Sequence, residues 1–169
     1  SLTYTRTLLF DLSPPNLFDY GLEAALEQLS ENFASQYNID ISFDDDKQPK
    51  PLEEDLSVVL FQATRELLLN VIKHAEAQHV TLSVGRVDDA VRVRVEDDGR
   101  GFAIPESGFR MRGDAGVGLF SICERLDHLK GGFQIQSRPG KGTVAVLTAP
   151  LKKEEGEPDG DSNRVGRRS

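Results

Sequence analysis

The spacing of apolar residues along the chain predicts three helices and the end of a fourth. Apolar residues recur at intervals of three and four over residues 20–37 and 53–75, which is the period of a helix with one buried face. The same period over residues 118–130 predicts another helix, ended by a Gly-Gly pair. Residues 1–12 have the pattern of the last turns of a helix, which the following Ser-Pro-Pro sequence stops.

Alternation of apolar and polar residues predicts the strands, because successive side chains of a strand point to opposite faces. Turn sequences, Asp-Asp and Arg-Pro-Gly-Lys-Gly, connect two pairs of strands and predict two hairpins. Helices do not alternate regularly with strands, which favours an α+β fold: a two-layer α/β sandwich with three helices on one face of a mixed sheet. The five predicted strands are residues 39–43, 79–86, 90–97, 133–138 and 143–149.

Composition narrows the class of protein. The 169 residues fit one domain, and a net charge of −8 argues against a nucleic-acid ligand, which needs a basic patch. ATP is compatible with this acidity, since it needs only a few local cations or a metal. No apolar run approaches the roughly 18 residues that span a bilayer. The single cysteine, Cys123, excludes an internal disulfide and is expected to be buried in the third helix.

The helix at 53–75 carries three polar side chains that could bind a ligand or take part in catalysis. At about 100° per residue, Glu66, Asn70 and Lys73 lie within an arc of roughly 60°, among mostly apolar neighbours. They form either a solvated stripe or a ligand site. In a ligand site, Asn70 is a suitable Mg²⁺ ligand, Lys73 neutralises phosphate, and Glu66 orients or deprotonates an attacking group. His74 borders the arc and is expected to pack or to support the site rather than act as a nucleophile.

The sequence VEDDGRGF at 95–102 leaves a predicted strand and enters a glycine-rich loop. The carboxylate of Asp97 can accept a hydrogen bond from an exocyclic amine, which would select adenine over guanine. Gly99 and Gly101 would then let the base lie against the main chain. The alternative is a plain Asp-Gly turn.

The sequence GVGLF at 116–120 begins the third helix, where the N–H groups of Gly116 and Gly118 can approach an anion. Thr143, in GKGT, either supports the adenine side through its hydroxyl or is an ordinary strand residue. Each motif is weak by itself. Their order along the chain predicts a nucleotide pocket that also holds a divalent metal.

Three blocks together resemble a known family. RELLLNVIKHA at 65–75, VEDDGRGF at 95–102 and GVGLFSICERL at 116–126 resemble the N, G1 and G2 boxes of the ATPase superfamily that includes gyrase B-type proteins and sensor histidine kinases. Within it, residues 8–150 are most similar to the catalytic domain of sensor histidine kinases whose response regulators carry helix-turn-helix output domains.

The resemblance implies a Bergerat fold with an ATP and Mg²⁺ site. Glu66 would be the catalytic acid/base or polarising residue, Asn70 the metal ligand, Lys73 a phosphate contact and Asp97 the adenine contact. The nucleotide-binding set that it implies is Asn70, Lys73, His74, Asp97, Gly99, Gly101, Gly116, Val117, Gly118, Leu119 and Thr143.

The resemblance also implies a reaction and partners. The γ-phosphoryl group of ATP would pass to a histidine on the protein's own dimerisation domain and then to an aspartate of a response-regulator receiver domain, in a protein that is a homodimer at full length. None of the histidines here has the acidic neighbour expected of the acceptor, so we expect the acceptor upstream. The implied parts are the end of a dimerisation helix with a linker (1–15), the ATPase domain (16–151) and a disordered tail (152–169). The domain is expected to be cytoplasmic, and membrane anchoring of the full protein stays open.

Two other functions remain open at this point. An anti-sigma-factor-type serine kinase of the same superfamily would carry no dimerisation helix, and the helical pattern of residues 1–12 argues against it. A catalytically inactive module that binds nucleotide, or nothing, is weakened by the intact set of Glu66, Asn70 and Asp97.

Overall fold

Three helices, five strands and one π-helical turn make up the computed structural model of this chain, which describes residue 17 and residues 19–107 and 116–153. The π-helical turn, Val71–Ala75, directly follows the second helix. The helices are α1 (Leu22–Tyr37), α2 (Glu54–Asn70) and α3 (Gly116–His128); the strands are β1 (Asp40–Asp45), β2 (His79–Val87), β3 (Ala90–Asp97), β4 (Gly132–Ser137) and β5 (Thr143–Pro150).

The strands form one sheet in the order β1-β2-β3-β5-β4. β1 and β2 are parallel, and the chain crosses over between them through residues 46–78, which contain α2 and the π-helical turn. The other neighbouring strands are antiparallel, as expected for the two hairpins β2–β3 and β4–β5. The prediction of an α+β fold with a mixed sheet is confirmed.

All three helices pack against the same side of the sheet. Along β3, Val91, Val93 and Val95 are buried while Arg92 is exposed, so the apolar positions mark the covered face. α1 contacts β1, α2 contacts β3 and β5, and α3 contacts β4. Burying each leucine or valine of this core contributes about 1.5–3 kcal/mol, which makes the helix–sheet interface the main source of stability.

The second helix differs from its prediction at its C-terminal end. A single α-helix was expected to run to Ala75, but the α-helix ends at Asn70 and the next five residues form the π-helical turn. The carbonyl of Ala75 accepts a hydrogen bond from the N–H of Arg100, 2.7 Å away, and Glu76 then takes a left-handed conformation (φ 52°). A contact with a distant loop, rather than local sequence, therefore shapes the end of this helix.

The loop between β1 and α2 is fixed by one buried cation. The ammonium of Lys50 lies 2.9 Å from Asp45 Oδ1, 2.5 Å from Asp46 Oδ1 and 2.9 Å from the carbonyl oxygen of Gln48. These three contacts use all three N–H donors of the ammonium. The hydrogen bond from Lys50 is the main reason why the pKa of Asp46 is lowered to about 2. These contacts therefore tie the loop to the end of β1 before α2 begins.

Some predictions fall outside the described residues: the helical pattern at 1–12, residues 108–115 of the glycine-rich loop predicted over 99–118, and the tail from 154 onward. The predicted domain boundaries remain predictions. At the C-terminal end, the N–H of Lys152 donates to the carbonyl of Pro51 at 2.7 Å, so this residue, predicted to belong to the disordered tail, is bonded to the domain. Among the described residues, none of the helices has the length and apolar character that a membrane span requires.

Candidate functional site

Asp97 is the buried polar residue at the end of β3, and it lies opposite Thr143 in the sheet. Its Oδ1 accepts the N–H of Gly99 at 2.8 Å. Burial raises the pKa of this carboxyl, while hydrogen bonds from the backbone N–H groups of Gly99 and Thr143 act in the opposite direction. The protein therefore holds a desolvated hydrogen-bond acceptor in a fixed orientation. The groups that shift its pKa are backbone N–H groups and neighbouring carboxylates, not a cation.

The glycines around Asp97 are required by close contacts between backbone segments. A Cβ on Gly99 would lie 2.2 Å from the carbonyl oxygen of Ala75, and one on Gly101 would lie 2.1 Å from that of Arg138. A Cβ on Gly142 would lie 2.0 Å from the carbonyl oxygen of Asp97 itself. We expected Gly99 and Gly101 to leave space for a base, and this reason is corrected: protein backbone fills the space that their side chains would need.

Glu66 faces the start of α3. A Cβ added to Gly118 would lie 3.3 Å from Glu66 Oε2, so the carboxylate of α2 and the first turn of α3 are direct neighbours. Glu66 is partly exposed, and Arg65 Nη1 lies 3.7 Å from its other oxygen. A carboxylate beside a helix N-terminus is electrostatically favoured. The structure thus brings the predicted acid/base residue together with the second glycine motif.

Three predicted site residues lie at the C-terminal end of α2 and in the turn that follows it. Asn70 is the last residue of the α-helix and is half-buried. Lys73 and His74 lie in the π-helical turn and are exposed, so His74 does not pack in the core, and the alternative that it supports the site stays a prediction. A π-helical turn has more residues per turn than an α-helix, so the arc calculated at 100° per residue does not extend from Asn70 to Lys73.

The second glycine motif is only partly described. Gly116 begins α3, and Gly118 is exposed; the side chain of Val117 lies outside the described residues. Leu119 is 2% exposed and belongs to the core, so its side chain packs the helix and any nucleotide contact would have to come from its backbone.

Ser137, at the end of β4, is a polar residue that the sequence analysis missed. Its hydroxyl lies 2.8 Å from that of Thr143 and 2.9 Å from the N–H of Phe102, at the start of the loop that follows Asp97. The register of the β4–β5 hairpin pairs Ser137 with Thr143, and aligning the two predicted strands across their turn could have identified Ser137 as a neighbour of the site.

Two cavities border these elements. One of about 480 Å³ lies against Ser137, Gly142 and Ile104, beside the Asp97 turn. The other, of about 520 Å³, lies at the opposite end of α2, next to Glu54 and Ser57, and includes none of the predicted site residues. The smaller cavity is not lined by a predicted site residue either. The predicted residues are brought together by direct contacts instead: the turn after β3 meets the end of the π-helical turn at Gly99 and Ala75, and the start of α3 meets α2 at Gly118 and Glu66.

The sequence profile of the family described as histidine kinase-, DNA gyrase B- and HSP90-like ATPase matches residues 55–153, more than half of the chain. Two similar curated proteins are the signal transduction histidine-protein kinase/phosphatase DegS of Brevibacillus brevis and the oxygen sensor histidine kinase NreB of Staphylococcus carnosus (strain TM300). DegS is 29% identical over 155 residues, covering 92% of this chain and 39% of that protein. NreB is 28% identical over 150 residues, covering 86% and 41%. The chain spans about two fifths of the length of these relatives.

Solved structures agree on the fold. The histidine kinase domain of the Erythrobacter litoralis EL346 blue-light activated histidine kinase superposes with a TM-score of 0.64 at 22% identity, over 77% of this chain and 61% of that one. Full-length ShkA in complex with AMPPNP gives 0.62 at 25% identity, over 78% and 30%. The catalytic domain of ThkA in a nucleotide-free form gives 0.57 at 25% identity, over 80% and 92%. The chain therefore belongs to the histidine kinase-, DNA gyrase B- and HSP90-like ATPase family, as a catalytic ATPase domain of the histidine kinase type.

Proposed function

We propose that this chain binds ATP with Mg²⁺ and transfers the γ-phosphoryl group to a histidine on the dimerisation domain of a sensor histidine kinase. The observation that carries the proposal is Asp97: a 6% exposed carboxylate at a strand end, held by the N–H of the glycine two residues later. An unpaired charge is costly to bury, so its retention favours a ligand with N–H donors. The names of the relatives DegS and NreB, and the AMPPNP complex of ShkA, support the same conclusion.

At the base end, the chain offers a selective acceptor. The backbone N–H groups of Gly99 and Thr143 use two of the roughly four lone-pair directions of the Asp97 carboxylate, which leaves others for the amine of adenine. A keto group at that position, as in guanine, would place an acceptor against an acceptor. This arrangement therefore favours ATP over GTP.

At the phosphate end, we assign roles to three residues of α2 and the π-helical turn. The half-buried amide oxygen of Asn70 would hold Mg²⁺, which supplies charge neutralisation at the transferred phosphoryl group. Lys73 is exposed and mobile enough to follow the phosphates as a point charge. Glu66, beside Gly118, would orient the incoming imidazole and hold its proton during the transfer.

The partners follow from the same assignment. The phosphorylated histidine would pass its group to an aspartate of a response-regulator receiver domain, and we place the regulator in the class with helix-turn-helix output domains. The full-length protein would be a homodimer. These assignments rest on the motifs at 65–75, 95–102 and 116–126.

Phosphotransfer in trans tests this function. The chain is mixed with a purified histidine-kinase dimerisation domain and with ATP labelled in the γ-phosphoryl group. We expect label on histidine, which is lost in acid and stable in base. Glu66→Gln should slow transfer by roughly 10²- to 10⁴-fold while ATP still binds, since general acid–base catalysis contributes about that much.

The other outcomes of the same assay separate the competing functions. Acid-stable label on serine would instead identify a serine kinase. Tight ATP binding with no transfer to any histidine acceptor would identify an interaction module. An Asp97→Ala variant serves as the control that should bind no ATP.

Asn70→Ala tests the metal assignment. We expect ATP affinity to lose its dependence on Mg²⁺, because the amide oxygen is the only proposed protein ligand. Isothermal titration with Mg²⁺ and with EDTA measures this. Asn32→Ala, an exposed residue of α1, is the matched control. A wild-type metal response in Asn70→Ala would contradict the assignment.

A further inference from the structure

Ser137 joins three separate segments through one oxygen. Its Oγ lies 2.9 Å from the N–H of Phe102, 3.0 Å from the carbonyl oxygen of Gly142 and 2.8 Å from Thr143 Oγ1. These partners belong to the loop after Asp97, to the β4–β5 turn and to β5. One half-buried hydroxyl therefore connects the entrance of the long loop to the strand that pairs with Asp97.

The three contacts fix where each proton points. A serine hydroxyl has one proton and two lone pairs, and a carbonyl oxygen can only accept. The proton of Ser137 must therefore lie on the bond to Gly142. Both lone pairs of its oxygen then accept, one from the N–H of Phe102 and the other from the hydroxyl of Thr143. Thr143 consequently has its proton directed at Ser137 and only lone pairs left for any other partner.

Thr143 and Asp97 present these lone pairs side by side. The two residues are direct partners in the antiparallel β3–β5 pair, and side chains of such partners lie on the same face of the sheet, with Cβ atoms about 4.5–5.5 Å apart. An ionised carboxylate is also an acceptor only. This corner of the domain therefore offers two acceptors and no side-chain donor from this pair.

We infer that Ser137 is a positioning residue that sets base specificity, because it turns the Thr143 hydroxyl into an acceptor beside Asp97. The inference rests on the proposed ATP site. An adenine amine has two N–H donors and satisfies two acceptors, directly or through a water, whereas the keto group of hypoxanthine satisfies neither. In this proposal Ser137 does not contact the nucleotide. Its Oγ also accepts the N–H of Phe102, which fixes the start of the loop.

The ratio of ATP to ITP affinity tests this role, since ITP differs from ATP at the amine position. In Ser137→Ala, Thr143 loses the acceptor for its proton and can donate to a keto oxygen. We expect the ATP/ITP affinity ratio to fall by roughly 3- to 10-fold, the change that one neutral hydrogen bond makes. Ser137→Thr keeps the hydroxyl and should restore the ratio. Ser42→Ala, on an exposed strand position, is the control that should match wild type.

Thr143→Val provides a second route that does not need Ser137→Ala to fold. It should lower the ratio similarly, and adding Ser137→Ala to it should change the ratio no further. Amide hydrogen exchange at Phe102 should be faster in Ser137→Ala. An unchanged ratio in Ser137→Ala or in Thr143→Val, or a further fall in the double variant, would overturn the role of Ser137. A wild-type chain that does not prefer ATP would overturn the proposed function instead.

Discussion

The charged carboxylate of Asp97, which we propose binds the ligand, lowers the free energy of unfolding of the protein. Burial raises the pKa of its carboxyl above the ordinary 3.8. A group whose pKa is higher in the folded state binds its proton more tightly there, so folding is favoured when it is protonated. The free energy of unfolding therefore falls as pH rises from about 3.8 through the folded-state pKa, and at neutral pH the charged form is carried at a cost.

Asp97→Asn should remove that cost. The new amide oxygen can keep the hydrogen bond from Gly99, so its NH₂ group would face the purine amine and ATP binding should be lost. We expect the variant without nucleotide to be more stable than wild type at pH 7, with the advantage disappearing below about pH 4. Urea unfolding across this pH range measures it.

Asp127→Asn, on an exposed part of α3, is the control for this experiment. Its curve should follow that of wild type. A lower stability of Asp97→Asn at neutral pH, or an advantage that persists in acid, would show that the Asp97 carboxylate is not destabilising.

Three residues show which features of the site can be predicted from the sequence and which cannot. The position of Asp97 at a strand end follows from alternation and a glycine motif, both of which are local. The reason for Gly99 was wrong, because its neighbour, the carbonyl of Ala75, comes from a segment that only the folded chain brings near. Ser137 was missed for the same reason: a serine in a strand has no distinguishing motif, and its three partners meet only in the assembled hairpin and loop.

The turn after β3 is the element on which the site depends, because two other elements hold it. The N–H of Arg100 donates to the carbonyl of Ala75 in the π-helical turn, and the carbonyl of Arg100 accepts from Gly140 in the β4–β5 turn, both at 2.7 Å. Asp98 adds bonds from the N–H groups of Gln78 and His79 at 2.8 and 3.0 Å. Strand and helix periods predict the elements themselves, but such cross-links between turns leave no periodic signal.

Alanine at two turn glycines should separate close packing from backbone strain. Gly140 has a φ of 75° and nothing within 4 Å of an added Cβ, so Gly140→Ala should cost only the left-handed strain of about 1–2 kcal/mol. In Gly99→Ala the new Cβ would lie 2.2 Å from the carbonyl oxygen of Ala75, so the backbone would have to shift. Forced shifts of this kind cost roughly 1–3 kcal/mol or more.

The two variants should differ even more in ATP affinity than in stability. Gly99→Ala moves the turn that orients Asp97 and should abolish binding, whereas Gly140→Ala should retain it. Thermal unfolding and isothermal titration on both variants provide the comparison. Equal loss of affinity in the two would mean that the Gly99–Ala75 contact does not position the site.

At the scale of the whole molecule, the topology collects the site at one end of α2. This helix has 17 residues and is therefore about 25 Å long, with Lys50 and the larger cavity near its start and Asn70 at its end. The end of β3 reaches Asn70's side of the domain because β3 runs antiparallel to its neighbours, and α3 starts beside Glu66. The fold thus separates the proposed nucleotide site from the end where the chain enters α1.

The net charge of the chain makes a prediction about the approach of ATP. A charge of −8 at pH 7 repels a nucleotide that is itself an anion, and repulsion of this kind slows diffusional encounter. Raising the ionic strength from about 10 mM to about 150 mM shortens the Debye length from about 30 Å to about 8 Å. We therefore expect the association rate of ATP, measured by stopped-flow fluorescence with a labelled analogue, to rise with salt.

Adenosine, which has the same base and no charge, should show no such dependence and serves as the control ligand. The opposite trend for ATP, a rate that falls with salt, would mean that local cations such as the exposed Lys73 govern the approach. Lys73→Gln decides between the two: it should leave the rise with salt intact if the whole-chain charge dominates, and should abolish a fall if Lys73 does. Because the rate depends on the field at a distance and affinity on the contacts of the site, only the rate reports the charge of the whole molecule.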